Sequence, residues 1–281
     1  MEYKCLILEK EGHIATVTLN RPDSGNSFDF QLMEELDHVF RDNLATDDEV
    51  RAIILTGTGK YFSTGLDLNV FASAKPEVDK EELEKGVGSS RVKAADGDIP
   101  YGKGTIVGAV VTMTTMAKPV ICAINGPAVG LGLSVALATD IRIASDRARF
   151  SMIFVKRGLS PDTGASFTLP RIVGMAKAKE LLLTGDMIEA AEAEHIGIVS
   201  KVVPHEELMT AAREMATKIA KNPPLAVAAH KEVLNRSLAE DDIIKQIELE
   251  IAYTDKMLNT EDFQEAAKAF LEKRDPVFKG R

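Results

Sequence analysis

The chain has 281 residues, and its 34 Lys and Arg against 43 Asp and Glu give a formal net charge of −9 at pH 7. An acidic protein is a poor candidate for binding nucleic acid or an anionic membrane surface. Two cysteines, Cys5 and Cys122, cannot form a disulfide framework and are typical of a reducing compartment. Because no apolar run reaches the roughly 18 residues of a membrane helix and neither end carries a targeting signal, we expect a cytoplasmic protein that does not bind membranes.

The first part of the chain alternates between strand and helix patterns. Residues 14–19 are rich in β-branched side chains, and residues 30–44 carry apolar side chains at helical spacing. Short, wholly apolar strand patterns follow at 51–57, 120–124 and 140–144. Buried strands interleaved with helices predict an α/β sheet that is covered on both faces.

Two changes in pattern divide the rest of the chain. Residues 72–104 are charge-dense and then glycine-rich, which predicts a solvated loop with one short helix and leaves a lid over a site open. After Pro204 the strand patterns end and only helical patterns remain. We therefore predict two regions, a core at 1–204 and a helical region at 205–281.

Three segments with glycines stand out at residues 61–68, 125–134 and 158–166. The first two each follow a buried strand and lead towards a helical pattern. A strand that turns into a helix in this way exposes backbone N–H groups, which stabilise a negative ligand or a developing oxyanion. Glycine allows such a turn to approach its neighbours closely.

Several familiar motifs do not fit these segments. Val135 stands where a dinucleotide fingerprint beginning at Gly130 needs its third glycine. The sequence has no P-loop lysine motif and no nucleophile elbow. The five histidines are scattered without the spacing of metal ligands. We therefore expect neither a metal ion nor a resident cofactor.

The order of the segments matches one known family. Residues 118–130, KPVICAINGPAVG, and residues 138–145, ATDIRIAS, closely follow its signature, and residues 183–186 and 270–278 also fit. On these segments the whole chain resembles the crotonase (enoyl-CoA hydratase/isomerase) superfamily. The resemblance implies an α/β core that is a spiral of ββα turns, followed by a helical trimerisation region. It also implies a homotrimer or hexamer and an acyl-CoA thioester as the substrate, with coenzyme A as part of that substrate.

The resemblance assigns roles to individual residues. The backbone N–H groups of Leu66 and Leu131 would hold the thioester oxygen and so take part in catalysis. Residues 63–68 would line the adenine pocket through backbone contacts, and Phe270 with Lys273 would approach the adenine and the 3′-phosphate. The predicted coenzyme A contacts are Ser63, Leu66, Asp67, Leu68, Leu131, Phe270 and Lys273.

The reaction class depends on acidic residues. Hydratases of the family add water with two glutamates, one acting as base and one as acid. Counted from Asp140 and Phe150, those two positions are held here by Ser134 and Phe154. The missing pair argues against simple hydratase activity.

Asp162 is the one acid of the matched segments that stands at a position the family uses for catalysis. Residues 160–170 are similar to the peroxisomal-type Δ3,Δ2-enoyl-CoA isomerases, which have glutamate at this position. The resemblance implies that Asp162 removes a proton from C2 of a 3-enoyl-CoA and returns it to C4. Phe154, Leu159 and Phe167 are expected to form apolar walls that raise its pKa.

Other interpretations stay open. The chain could catalyse another enolate reaction on an acyl-CoA, such as hydrolysis, dehalogenation or dienoyl-CoA isomerisation. Dehalogenases of the family need an upstream histidine that residues 106–108 lack, and dienoyl-CoA isomerases use further carboxylates that are not found here. The chain could also be a non-catalytic acyl-CoA-binding protein, and Asp162 could serve only to cap the turn that follows it.

Overall fold

A β-hairpin opens the chain and its second strand joins a mostly parallel sheet. The computed structural model describes residues 1–69 and 104–281, so the predicted loop or lid at 72–104 lies almost entirely outside the described residues. Within those residues the strands are β1 (Leu6–Glu11), β2 (Ile14–Leu19), β3 (Ala52–Gly57), β4 (Val120–Ile124), β5 (Ala128–Val129), β6 (Ile141–Ser145), β7 (Arg149–Ser151), β8 (Ile188–Glu189) and β9 (Lys201–Val203).

These strands form two sheets. The larger sheet has the order β1-β2-β3-β4-β6-β9, in which only the β1–β2 pair is antiparallel. The smaller sheet has the order β5-β7-β8. Because β3 and β4 are parallel neighbours, the turns that follow them leave the sheet at the same edge.

Helices connect the strands and then complete the chain. Within the described residues they are α1 (Phe30–His38), α2 (Ile106–Thr115), α3 (Leu131–Leu137), α4 (Ala165–Val173), α5 (Met175–Thr184), α6 (Ala190–His195), α7 (Leu208–Ala220), α8 (Pro224–Ser237), α9 (Ile243–Leu258) and α10 (Glu261–Glu272). A π-helical turn at Val39–Leu44 extends α1.

Local sequence explains where several helices begin. The Asp29 carboxylate accepts a hydrogen bond from the Leu32 N–H at 2.8 Å and caps α1. The Thr105 and Thr260 hydroxyls cap α2 and α10 in the same way. Pro224 occupies the first turn of α8, where its missing N–H costs no hydrogen bond. Among the described residues, every helix falls short of the length and apolarity needed to cross a membrane.

The central strands are buried on both faces. Ile53 and Leu55 of β3 face a core that α1 and α2 complete, whereas Ile54 faces the opposite layer. This alternation follows from the two-residue period of a strand. The layer on the second face is closed by α7, whose Ala212 and Ala216 are buried against the sheet.

A polar joint fixes helix α8 to this core. Lys231 of α8 is buried and donates from Nζ to the Asp140 carboxylate at 2.8 Å and to the carbonyl oxygens of Met113 and Lys118. The Asp140 carboxylate also accepts from the Val120 N–H at 2.7 Å, where β4 begins. One lysine therefore ties α8 to the ends of α2 and β4.

The predicted change from mixed elements to helices near residue 204 coincides with the end of β9 at Val203. The helix that follows, α7, covers the sheet rather than standing apart from it. By contrast, α9 has no buried residue at all. The division into regions at 1–204 and 205–281 stays a prediction.

Candidate active site

Two turns meet at the carboxyl edge of the large sheet. The Phe62 and Ser63 N–H groups both donate to the Pro127 carbonyl at 3.1 Å, and the Val129 N–H donates to the Ser63 carbonyl at 3.0 Å. These bonds join the segment after β3 to the segment after β4 as a short parallel bridge. The first and second glycine segments of the sequence therefore form one structural unit.

Glycines allow the close approach of the two turns. Gly65 has a φ of 91°, and a Cβ atom placed on it would lie 2.6 Å from the Val129 carbonyl oxygen and 3.4 Å from the Leu131 nitrogen. A Cβ atom on Gly132 would lie 2.7 Å from the Ser63 Cβ. Side chains at either position would push the turns apart, because backbone atoms cannot yield as flexible side chains do.

The N–H groups of Leu66 and Leu131 lie on these contacting turns. On either side of Leu66, the Gly65 N–H donates to the Ser63 hydroxyl and the Asp67 N–H donates to the Phe28 carbonyl. Within the described residues, no acceptor is bonded to the Leu66 N–H or to the Leu131 N–H. Leu131 is the first residue of α3, where N–H groups lack partners inside the helix.

Ser134 and Phe154, the two residues that stand at the expected hydratase glutamate positions, are both buried. Ser134 is buried, and its hydroxyl donates back to the Gly130 carbonyl at 3.3 Å. Phe154 is buried beside the same turn, since a Cβ atom on Gly130 would lie 3.9 Å from its ring. Neither position provides a carboxylate, and the wall near Gly130 is apolar.

Asp162 lies in the turn between the short 3-10 helix Ile153–Arg157 and α4, and α4 in turn packs against α3. The sequence left open that Asp162 serves only to cap the following turn, and its carboxylate makes no capping hydrogen bond at the start of α4. Helix α4 begins after Gly164 without any side-chain cap, and the Ala165 N–H donates to the Asp162 carbonyl rather than to its carboxylate. The carboxylate is therefore not used to start α4.

The Asp162 carboxyl borders solvent in the single chain, yet the protein around it still removes part of its hydration. This desolvation raises its pKa above the ordinary value, and a hydrogen bond from the Thr163 side chain offsets part of the rise. Thr163 has a φ of 51°, which is costly for a β-branched residue. Strained backbone of this kind is concentrated at functional sites.

The predicted walls around Asp162 differ from one another. Phe154 is buried, whereas Leu159 and Phe167 are 45% and 50% exposed in the single chain. Phe167 instead stacks under Arg171, whose guanidinium carbon lies 3.6 Å from the ring centroid. Phe167 and Arg171 line a groove of about 770 Å³ between α4 and α8. Of the three expected walls, two are thus open in the single chain.

The predicted coenzyme A residues fall into two groups. Leu66, Leu131 and Ser63 lie together on the paired turns, although the Ser63 side chain is fully buried. Leu68 is exposed, and Asp67 is held by Arg21 at 3.4 Å and by the Ser27 hydroxyl at 3.1 Å. Of these residues, Leu66, Asp67 and Leu68 are partly or fully exposed and form a surface at the carboxyl edge, whereas Ser63 and Leu131 are buried.

The tail pair stands apart from that surface. Phe270 is 83% exposed, and Lys273 ends α10 with a φ of 56°. The tail beyond them is anchored where β3 begins, because Arg51 donates to the Phe278 carbonyl at 2.9 Å. Within the described residues, no hydrogen bond or salt bridge joins Phe270 or Lys273 to residues 63–68.

Sequence reasoning missed two residues that shape the first turn. Arg21 donates to Asp29 and Asp67, and the fully buried Asn26 holds the loop after β3. In the sequence, residues 20–23 (Asn-Arg-Pro-Asp) show only the composition of a turn. A buried asparagine that uses all of its amide groups is visible only when distant segments are brought together.

Comparisons with known proteins fit this geometry. The family model described as enoyl-CoA hydratase/isomerase matches residues 9–101 and 103–281. A short-chain-enoyl-CoA hydratase of Clostridium acetobutylicum is 39% identical over 276 residues, which are 98% of this chain and 97% of that protein. A carnitinyl-CoA dehydratase of Escherichia coli K12 is 36% identical over 280 residues, 98% of each chain. The crystal structure of an enoyl-CoA hydratase from Bacillus anthracis is similar with a TM-score of 0.86 at 32% identity, over 99% of this chain and 100% of that one.

The paired turns and the mixed sheet with its C-terminal helices define an enzyme of the crotonase type, which confirms the predicted fold class. The chain belongs to the enoyl-CoA hydratase/isomerase family. Of the three proteins named, two are enoyl-CoA hydratases and one is a carnitinyl-CoA dehydratase, and none carries the name of a Δ3,Δ2-enoyl-CoA isomerase.

Proposed function

We propose that this enzyme shifts a double bond from C3 to C2 of an enoyl-CoA, with Asp162 as the proton carrier. The ionised Asp162 carboxylate takes a proton from C2 of a 3-enoyl-CoA, and the electron pair of that C–H bond moves into the acyl group. A thioester dienolate forms, with its negative charge on the thioester oxygen. The protonated Asp162 then delivers the proton to C4, the double bond comes to rest at C2, and the carboxylate is restored.

The amides of Leu66 and Leu131 have the complementary role. Their N–H groups would donate to the thioester oxygen, which carries more negative charge in the dienolate than in the substrate. A donor fixed in advance towards such an oxygen stabilises the transition state more than the ground state. Loss of one donor of this kind typically costs about 10²–10³-fold in kcat.

The distribution of acidic residues is the observation that carries this proposal. Hydration needs a base for the attacking water and an acid for the α-carbon, and Ser134 and Phe154 offer neither. Isomerisation moves one proton and needs one carboxylate, which Asp162 supplies. The raised pKa of Asp162 also suits a group that must both accept and return a proton. These features favour the isomerase over the hydration chemistry in the names of the relatives.

Substrate binding and assembly follow the same proposal. Coenzyme A would lie along residues 63–68, as part of the substrate, and neither a metal ion nor a further cofactor is required. Phe270 and Lys273 are exposed and lie at the end of α10, so we expect them to contact the coenzyme A bound to another subunit. The exposed isoleucines of α9 are suited to such a homotrimer or hexamer.

The test is conversion of a 3-enoyl-CoA to the conjugated 2-enoyl-CoA, followed by absorbance and by mass spectrometry. Asp162→Asn should lower kcat by about 10²–10⁴-fold, the usual contribution of general acid–base catalysis. Asp48→Asn, at an exposed aspartate of the loop before β3, is the matched control and should keep full activity. In the unchanged enzyme kcat/KM should fall on the acid side, at a pH above the pKa of about 3.9 of an ordinary aspartate.

Other outcomes would replace the proposal. Release of free coenzyme A would show a hydrolase, and a gain in mass by one water would show a hydratase. Tight binding of acyl-CoA without proton exchange at C2 would favour a non-catalytic binding protein. Full turnover by Asp162→Asn would exclude Asp162 as the proton carrier.

A further inference from the structure

Asn26 sits in the loop between β2 and α1 with every polar group of its side chain in use. Its amide nitrogen donates to the carbonyl oxygens of Thr58 at 2.9 Å and Tyr61 at 2.8 Å, and its amide oxygen accepts from the Arg21 N–H at 2.8 Å. The residue is fully buried and has a φ of 54°. A left-handed conformation is unfavourable for a residue other than glycine, so the hydrogen bonds of Asn26 must outweigh that cost.

The Ser63 hydroxyl links Asn26 to both turns of the site. It donates to the Asn26 carbonyl at 2.8 Å and accepts from the Gly65 N–H at 3.1 Å. A Cβ atom on Gly132 would lie only 2.8 Å from the same oxygen. Ser63 therefore fixes the residue before Leu66 by a hydrogen bond and touches the first turn of α3, which begins at Leu131.

We propose that Asn26 and Ser63 are positioning residues that set the distance and direction between the Leu66 and Leu131 N–H groups. The inference rests on the proposed function only in assigning a thioester oxygen to those two groups. The Ser63 side chain then acts within the fold and makes no contact with coenzyme A. Asn26 holds the loop from which the first turn starts. The Ser63 hydroxyl connects Asn26 to Gly65, the residue before Leu66, and packs against the turn that carries Leu131.

The pair is suited to this task because it is buried and fully bonded. A turn held by a single exposed contact would fluctuate, whereas the Asn26 amide bonds two carbonyls of one loop and the Ser63 hydroxyl bonds both Asn26 and the Gly65 N–H of its own turn. Catalytic groups that are displaced by about 1 Å lose about 10²-fold in rate. A positional effect of that size is separable from simple loss of folding.

The test measures the thioester carbonyl directly. A saturated acyl-CoA, isotopically labelled at the thioester carbonyl, is bound to the enzyme and its carbonyl stretching frequency is recorded by infrared difference spectroscopy. Two donors should shift the band to lower frequency than in free acyl-CoA. Ser63→Ala removes the linking hydroxyl, and Asn26→Gly removes the amide while keeping a residue that tolerates positive φ. Each variant should lose at least about half of the shift, and kcat should fall about 10–100-fold with KM within about threefold.

Two controls separate positioning from folding and from the reaction. Ser145→Ala removes another fully buried hydroxyl, on β6, and should leave the shift and kcat within about twofold. Asp162→Asn should abolish turnover but keep the carbonyl shift, because it does not alter the donors. If Ser63→Ala fails to fold, Ser63→Cys places a weaker hydrogen-bond donor at the same position and should lose part of the shift.

An unchanged carbonyl shift in folded Ser63→Ala and Asn26→Gly would overturn the positioning role. The saturated probe cannot isomerise, so this result is independent of the proposed reaction. If the shift depends on Ser63 and Asn26 but no 3-enoyl-CoA is converted, the positioning pair stands and the isomerase proposal fails.

Discussion

The carboxyl edge of the sheet and the outer C-terminal helices are built in opposite ways. At the carboxyl edge, backbone segments touch through glycines, and buried polar groups such as Asn26 and Ser63 are bonded on every side. In α9, no residue is buried and Ile243, Ile247 and Ile251 face outward. Within the described residues, contacts inside one chain hold the first region together, whereas the second presents apolar surface that a single chain leaves uncovered.

This difference separates two kinds of structural demand. In the proposed function the paired turns hold two N–H groups in fixed positions, which requires a rigid backbone kept in place by the hydrogen bonds around those groups. The outer helices need only an apolar face that another subunit can cover. Substitutions can test each region, and also the polar joint between α8 and the core.

The tightest backbone contact should be the least tolerant of change. A Cβ atom on Gly126 would lie 2.0 Å from the Lys60 carbonyl oxygen, so Gly126→Ala should lower the free energy of unfolding by more than about 3 kcal/mol. Gly12→Ala is the matched control, because Gly12 has a φ of 55° but nothing within 4 Å of its Cβ position. That control should cost about 1 kcal/mol through backbone strain alone. Equal losses for both variants in denaturant titrations would contradict the importance of close packing here.

Loss of the polar joint between α8 and the core should have the next largest effect on the free energy of unfolding. Lys231→Met leaves the Asp140 carboxylate without its cation and two carbonyl oxygens without a donor. Burial raises the pKa of Asp140 and lowers that of Lys231, and the attraction between the two charges offsets part of each shift. Since Asp140 keeps 25% of its side chain exposed, we expect a loss of roughly 3 kcal/mol, the lower end for a buried pair.

A double variant shows whether that loss comes from the stranded charge. Lys231→Met combined with Asp140→Asn should recover part of the free energy of unfolding, measured by the same denaturant titration. Additive losses in the double variant would show that the Lys231–Asp140 ion pair does not stabilise the contact between α8 and the core.

Substitutions on the outer face of α9 should hardly change the stability of a single chain. Ile247→Lys should change the free energy of unfolding of the isolated subunit by no more than about 0.5 kcal/mol, since the side chain is exposed. The same change should weaken subunit association, measured by analytical ultracentrifugation. Glu248→Lys, which adds a lysine at the neighbouring exposed position, is the control and should leave the assembly intact. An unchanged assembly in Ile247→Lys would exclude this face as an interface.

The buried strands and helices could be predicted because their signals are local. The expected strands at 51–57, 120–124 and 140–144 correspond to β3, β4 and β6, and the helical pattern at 30–44 corresponds to α1 with its π-helical extension. Apolar runs bounded by glycine or proline fix such elements without reference to distant residues.

Features that depend on contacts between distant segments were not predictable. The role of Asn26 depends on Thr58 and Tyr61, more than 30 residues away, and no local pattern reveals it. The sequence left open whether Asp162 caps the following turn, because it does not show that the backbone at Thr163 and Gly164 turns left-handed and starts α4 without a side-chain cap. The exposure of Phe167 was missed because apolar character alone does not show whether a side chain is covered by its own chain.

Proton exchange at C2 tests the central claim most directly. The enzyme is incubated in heavy water with an acyl-CoA, and deuterium at C2 is measured by mass spectrometry. We predict deuterium uptake by the unchanged enzyme, no uptake by Asp162→Asn, and no gain of the mass of water. Uptake that persists at the same rate in Asp162→Asn would contradict the assignment of Asp162 as the group that moves the proton.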